Sequence, residues 1–138
     1  MAQGPGVVTG RSGVIGKVFF AHDDYWPLNT ALWIKEFKRA TPAYAFYLLQ
    51  TMDLTRLNAG SAVPSLNRNH VHSQLAVIPP TRLIASFTDL AVPLLQRIRA
   101  NDEHSQSLAE LRDTLLPRLI SGKLRLPEAQ EQIQEALA

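Results

Sequence analysis

No cysteine occurs in the 138 residues. That removes disulfides and thiolate metal sites as ways of bracing the chain, and it suits a reducing cytoplasm. Long apolar runs are missing too. None reaches the roughly 18 residues of a membrane-spanning helix, so no membrane partner is expected. The start, Met1-Ala2-Gln3-Gly4-Pro5, lacks the basic lead-in and apolar centre of a secretory signal. Histidine is scarce. Of His22, His70, His72 and His104 only His70 and His72 are close, and no third ligand completes a set, so no metal is expected. There is no Gly-x-Ser-x-Gly elbow, and Asp23-Asp24 reads as a turn rather than an acid–base pair. No catalytic residues, no cofactor and no enzymatic activity are therefore expected.

What the chain does contain is apolar bulk. Hydrophobic residues make up 46%, which excludes a disordered polar chain. The formal charge of +2 says little, but its distribution says more. Residues 1–80 carry Arg11, Lys17, Lys35, Lys38, Arg39, Arg56 and Arg68 against Asp23, Asp24, Glu36 and Asp53, a net +3. Residues 81–138 carry seven basic and eight acidic residues, a net −1. The first part suits a polyanion, and the second reads as a solvated helix of mixed charge.

Residues 7–20 read as two strands around a glycine turn, with β-branched and aromatic residues flanking Gly10, Gly13 and Gly16. The same stretch fails the phosphate-loop pattern, with Arg11 standing where a glycine belongs and Val18 where Ser or Thr belongs. A nucleotide-using activity thus loses its one hint; calorimetry with nucleotide is the direct check. Residues 26–30 look extended, because Pro27 disfavours helix at Trp26, and 31–35 form a short strand candidate. Thr41-Pro42 looks like a helix start, with Thr41 as N-cap and Pro42 at the first position. The periodicity predicts that helix to run to about 57–60. Residues 75–78 are another strand candidate, stopped by Pro79-Pro80.

After Pro80 the pattern changes. Leu83, Phe87, Leu90, Leu94, Ile98, Leu108, Leu111, Leu115 and Leu119 recur mostly every three or four residues, the stripe of one long helix with a polar centre at Asn101 and Ser105. Pro93 is expected to kink it, and Ser121-Gly122 to end it. At 1.5 Å per residue the stripe is roughly 54 Å long, whereas a domain of about 80 residues is only about 25–30 Å across. Much of it needs a partner outside its own domain, as in an antiparallel coiled coil. The simpler alternative folds it back as a hairpin near 101–103. The expected organisation is an α+β fold, with a small partly β domain over 1–80, a long helix over 81–122 and a short polar tail over 123–138.

Asn58, Ser61, Ser65, Asn67, Arg68, Asn69 and His70 form a polar patch of the residue types that read base edges and hold phosphates. An ordinary loop rich in turn formers has the same composition. Arg11 and Lys17 flank the glycine turn as further candidates to meet DNA.

Three stretches weigh on that choice. The first is Arg11-Ser12-Gly13-Val14-Ile15-Gly16-Lys17-Val18, followed by Trp26-Pro27-Leu28-Asn29-Thr30. The second is Gly60-Ser61-Ala62-Val63-Pro64-Ser65-Leu66-Asn67, leading to Val77-Ile78-Pro79-Pro80. The third is Leu108-Ala109-Glu110-Leu111-Arg112-Asp113-Thr114-Leu115-Leu116-Pro117-Arg118-Leu119-Ile120-Ser121-Gly122-Lys123-Leu124. Together they resemble the specificity subunits of type I restriction–modification systems, and the third stretch is the most specific.

The resemblance implies a target-recognition domain that reads half of a split DNA site, followed by a conserved helix. It implies double-stranded DNA, a modification (methyltransferase) subunit acting on adenine and a restriction subunit as partners, and a non-catalytic role. In that family two domain–helix units pair through antiparallel helices. This chain carries one, so a homodimer is expected, with Phe87, Leu90, Leu94, Ile98, Leu108, Leu111 and Leu115 in the seam. The recognition domain is expected to be incomplete, since the family has more strands before the glycine turn. The alternative is a truncated specificity fragment that serves only as a dimerisation or protein-interaction module.

Overall fold

The computed structural model describes residues 1–137. The fold is α+β: a small three-stranded antiparallel sheet, short helices, and one long helix near the C-terminal end. The chain divides into two compact units, Met1–Val92 and Pro93–Ala138. Among the described residues no helix is long and apolar enough to cross a membrane.

In the first unit, β1 (Gly6–Gly10), β2 (Val18–Ala21) and β3 (Ala31–Trp33) stand in the order β2-β1-β3. The strand pair read around the glycine turn is β1 and β2. Val7 lies opposite Phe20, while Val8 lies opposite both Phe19 and Trp33. Directly opposed residues share a face, so the register sorts the sheet. The Val7 and Phe20 face is covered by α1 (Pro42–Thr51), where Phe46 meets the Phe20 ring edge-on at 5.6 Å. The Phe19 and Trp33 face is left open to solvent. Thr9 is buried, and its hydroxyl is satisfied by donating to the Lys17 carbonyl at 2.8 Å. Gly16 closes the hairpin with φ +86, and an added Cβ would run into the Thr55 methyl, so both the conformation and the packing require glycine there.

Thr41 caps α1 as expected. Its Oγ1 accepts from the Tyr44 backbone N–H at 3.2 Å, with Pro42 at the first position. The helix stops earlier than its periodicity predicts. Met52 is extended (φ −82, ψ 127), and a separate 3-10 turn, Leu54–Leu57, follows. Buried Leu54 keeps the apolar rhythm going after the helix itself has ended, which is why the pattern overshoots. A five-residue helix, α2 (Arg68–His72), was not foreseen; Asn67 Oδ1 accepts from the Asn69 N–H at 2.9 Å to start it.

The strand expected at 75–78 does not form. Leu75 and Val77 are fully exposed. A strand needs a neighbouring edge, and Pro79 and Pro80 contribute no N–H to a ladder.

The long helix, α3 (Thr81–Ile120), runs for 40 residues as one element through Asn101 to Glu103, so the hairpin alternative is excluded. Pro93 and Pro117 lie inside it, and neither ends it. Within the first unit its start packs on α1. Tyr44 and Tyr47 meet Phe87 edge-on at 5.8 and 5.6 Å, and Thr41 Oγ1 lies 2.6 Å from Thr88 Oγ1. The face turned inward there carries buried Ile84 and Ala91 and half-buried Thr88, rather than Leu83 and Leu90.

In the second unit the polar centre of α3 satisfies itself. Ser105 Oγ donates to the Asn101 carbonyl at 2.8 Å, and Arg99 pairs with Glu103 at 2.7 Å. Gly122, with φ +72, follows the last turn as expected, and its N–H bonds the Leu119 carbonyl at 3.1 Å. The tail is more than polar. It forms α4 (Leu126–Leu137), and Leu124 and Ala129 are buried together with Leu115, with Leu119 packed alongside. Glu128 steadies the start of α4 by accepting from the Arg125 N–H at 3.3 Å.

Candidate nucleic-acid interface

The glycine turn and the polar patch are some fifty residues apart in sequence, yet the chain sews them together through its backbone. The Gly13 N–H donates to the Pro64 carbonyl at 2.9 Å, and the Leu66 N–H donates to the Arg11 carbonyl at 2.8 Å, with a bridge between Ser12 and Ser65. Leu66 is almost completely buried and anchors the returning strand of the loop. The Arg11 N–H in turn donates to the Thr30 carbonyl at 2.8 Å, which ties β3 to the same corner.

A concavity of about 430 Å³ results, lined by Arg11, Leu32, Ala59, Ser65, Leu66, Asn67 and Arg68. Four of the residues nominated from the sequence therefore converge: Arg11, Ser65, Asn67 and Arg68. The Arg11 guanidinium stays exposed, with a single long bond to the Asn29 carbonyl at 3.4 Å. Its remaining N–H groups suit phosphate or base acceptors.

The other nominated residues are placed differently. Asn58 Oδ1 accepts from the Gly60 and Ser65 N–H groups at 3.0 and 2.9 Å, so this amide closes the loop. Asn67 likewise spends its carbonyl oxygen on the α2 cap, leaving its amino group for an acceptor. Lys17, Ser61 and His70 do not line the concavity.

Asn69 borders a second concavity, of about 810 Å³. Val7, Thr9, Ala31, Leu32, Trp33, Ile34, Leu49 and Val71 line it with Lys35, Glu36, Lys38, Arg68 and His72. Leu32 and Arg68 belong to both hollows, so the two adjoin. Lys35 and Lys38 were missed as site residues; the only sequence signal was their place in the basic tally of residues 1–80.

Away from these hollows, the Thr55 hydroxyl donates to Asp53 and, with Arg56 beside it at 3.2 Å, holds that carboxyl below the usual carboxylate range. No group of three or more His, Cys, Asp or Glu side chains able to hold a metal is present among the described residues.

On α3 the expected seam residues divide. Leu90, Leu94, Ile98 and Leu108 are 74, 61, 53 and 46% exposed, Phe87 is engaged with Tyr44 and Tyr47, and Leu115 is covered by its own chain.

The chain is similar to a type I restriction enzyme specificity subunit. The relative is the MjaIX specificity subunit of Methanocaldococcus jannaschii, 33% identical over 69 residues. Those residues are 50% of this chain and 16% of that protein, so the likeness covers a small part of the longer subunit. No protein-family model matches the chain.

Proposed function

We propose that this chain is a DNA sequence-recognition (specificity) subunit, or half of one, in a type I restriction–modification complex. Residues 1–80 form a partial target-recognition domain and 81–122 the assembly helix. The observation that carries this reading is the convergence of Arg11, Ser65, Asn67 and Arg68 on one exposed hollow. It is a set of donors suited to base edges and phosphates, held by backbone bonds rather than by loose side chains. The likeness to a specificity subunit supports it.

In this reading the chain performs no chemistry. It positions a modification subunit that methylates adenine, and a restriction subunit, on a split site. The exposed Leu90, Leu94, Ile98 and Leu108 pair with the same helix of a second copy, giving a homodimer and a symmetric target. Co-expression with the modification subunit of the same source, followed by mapping of methylated adenine across the host genome, is the test. A split motif methylated only when the chain is present is expected. Arg11→Ala and Arg68→Ala should each lower affinity for that motif by about 1–3 kcal/mol.

The exposed leucines also support a second reading, a fragment that assembles but reads no DNA. Co-purification with the modification subunit, without a methylated motif and without duplex binding, would select it.

A further inference from the structure

The second hollow in the first unit is built unlike the first. Its floor is apolar, with Leu32, Ile34 and Leu49, and its rim carries two lysines from the segment that follows β3. Lys38 holds a left-handed backbone conformation, φ +50, the single described non-glycine residue to do so. A bulky residue rarely adopts that conformation and is kept where the surroundings fix its direction. Lys35 and Lys38 are both exposed, Glu36 is the one acid on the lining, and neither lysine is in an ion pair among the described residues. Arg68 joins this rim to the hollow that holds Arg11 and Asn67.

We propose that Lys35 and Lys38 grip the sugar–phosphate backbone of duplex DNA beside the hollow that holds Arg11 and Asn67, fixing the register of the domain on the duplex without reading sequence. This rests on the DNA-recognition reading above. The chemistry matches one repeating ligand. The lysine ammonium groups meet successive phosphates as point charges, and the apolar floor between them accepts the carbon face of a deoxyribose. Arg68, common to both linings, couples the grip to the reading site.

The first measurement is binding of the full chain to a mixed-sequence duplex, and to the methylated motif once mapped, across a range of salt concentrations. Each phosphate contact contributes about 0.9 to the slope of log affinity against log salt. The double variant Lys35→Gln/Lys38→Gly should reduce that slope by about 1.8 on both duplexes alike. Glycine keeps the backbone conformation at 38, and the thermal melt of the variant checks that the fold is intact. Lys35→Arg/Lys38→Arg should restore the slope, and Arg56→Ala, on the 3-10 turn, should leave it unchanged. Duplex binding by the wild type with an unaltered slope in the double variant would overturn the grip alone. A variant that loses discrimination between motif and mixed sequence, with its slope intact, would overturn it as well, since that is the signature of base reading. No duplex binding by the wild type would instead remove the DNA-recognition reading on which the grip rests.

Discussion

The unit Met1–Val92 buries Val7, Ala43, Leu54, Leu66 and Ile84 almost completely, and it joins segments fifty residues apart through backbone bonds. The unit Pro93–Ala138 seals a far smaller cluster, Leu115, Leu124 and Ala129, and leaves Leu94, Ile98 and Leu108 in solvent. These buried side chains of the first unit are thus committed to the fold, whereas a leucine on the exposed part of α3 contributes little to it. Burying a leucine fully is worth about 1.5–3 kcal/mol, and the second unit leaves several such contributions unused.

Substitutions at matched apolar residues sharpen the contrast. Leu66→Ala should cost about 2–5 kcal/mol of stability, because it removes the anchor of the loop and leaves a cavity under Ser65 and Asn67; chemical denaturation followed by tryptophan fluorescence measures it. Leu94→Asp should leave that stability nearly unchanged and instead lower self-association at least tenfold, read by sedimentation equilibrium. Equal unfolding costs for the two variants would erase the distinction between the units.

The smallest effect tests a surface detail of the first unit. Thr55→Val removes the hydroxyl that donates to Asp53, so the Asp53 pKa should rise toward the ordinary value, as followed by carboxyl NMR. The folded-state pKa is depressed, so the stabilising contribution is present above the unfolded value and is lost as pH falls through the folded one. Asp53 is exposed, and a slight flattening of the acid limb of stability is the expected outcome.

Features that depend on a few adjacent residues were legible in the sequence. The hairpin around the glycines, the Thr41-Pro42 helix start, the long helix and its end at Gly122 all follow from local patterns. The convergence of Arg11 with Ser65 and Arg68 was not legible, because Gly13 N–H to Pro64 carbonyl is a main-chain bond that no side-chain pattern announces. The strand expected at 75–78 failed for a related reason: its own residues fit, but no neighbouring edge exists. On α3 the eye follows the leucines, whereas the chain turns inward the strip of Ile84, half-buried Thr88 and Ala91, disguised by a threonine and an alanine. The cover over Leu115 depends on Leu124 and Ala129, too few apolar positions to stand out from a charged tail.

The contact between α1 and α3 has a direction as well as a place. Thr88 Oγ1 donates its proton to the Ile84 carbonyl at 2.7 Å, so toward Thr41 it has lone pairs to offer. Thr41 must then give its hydroxyl proton to Thr88 while its own lone pair receives the Tyr44 N–H. The protons all point one way, from the first turn of α1 through two hydroxyls into the main chain of α3. Turning α1 by even one residue about its axis would break the sequence of donors. Two small hydroxyls thereby act as a keyed joint that fixes the rotation of α1 against the first turns of α3.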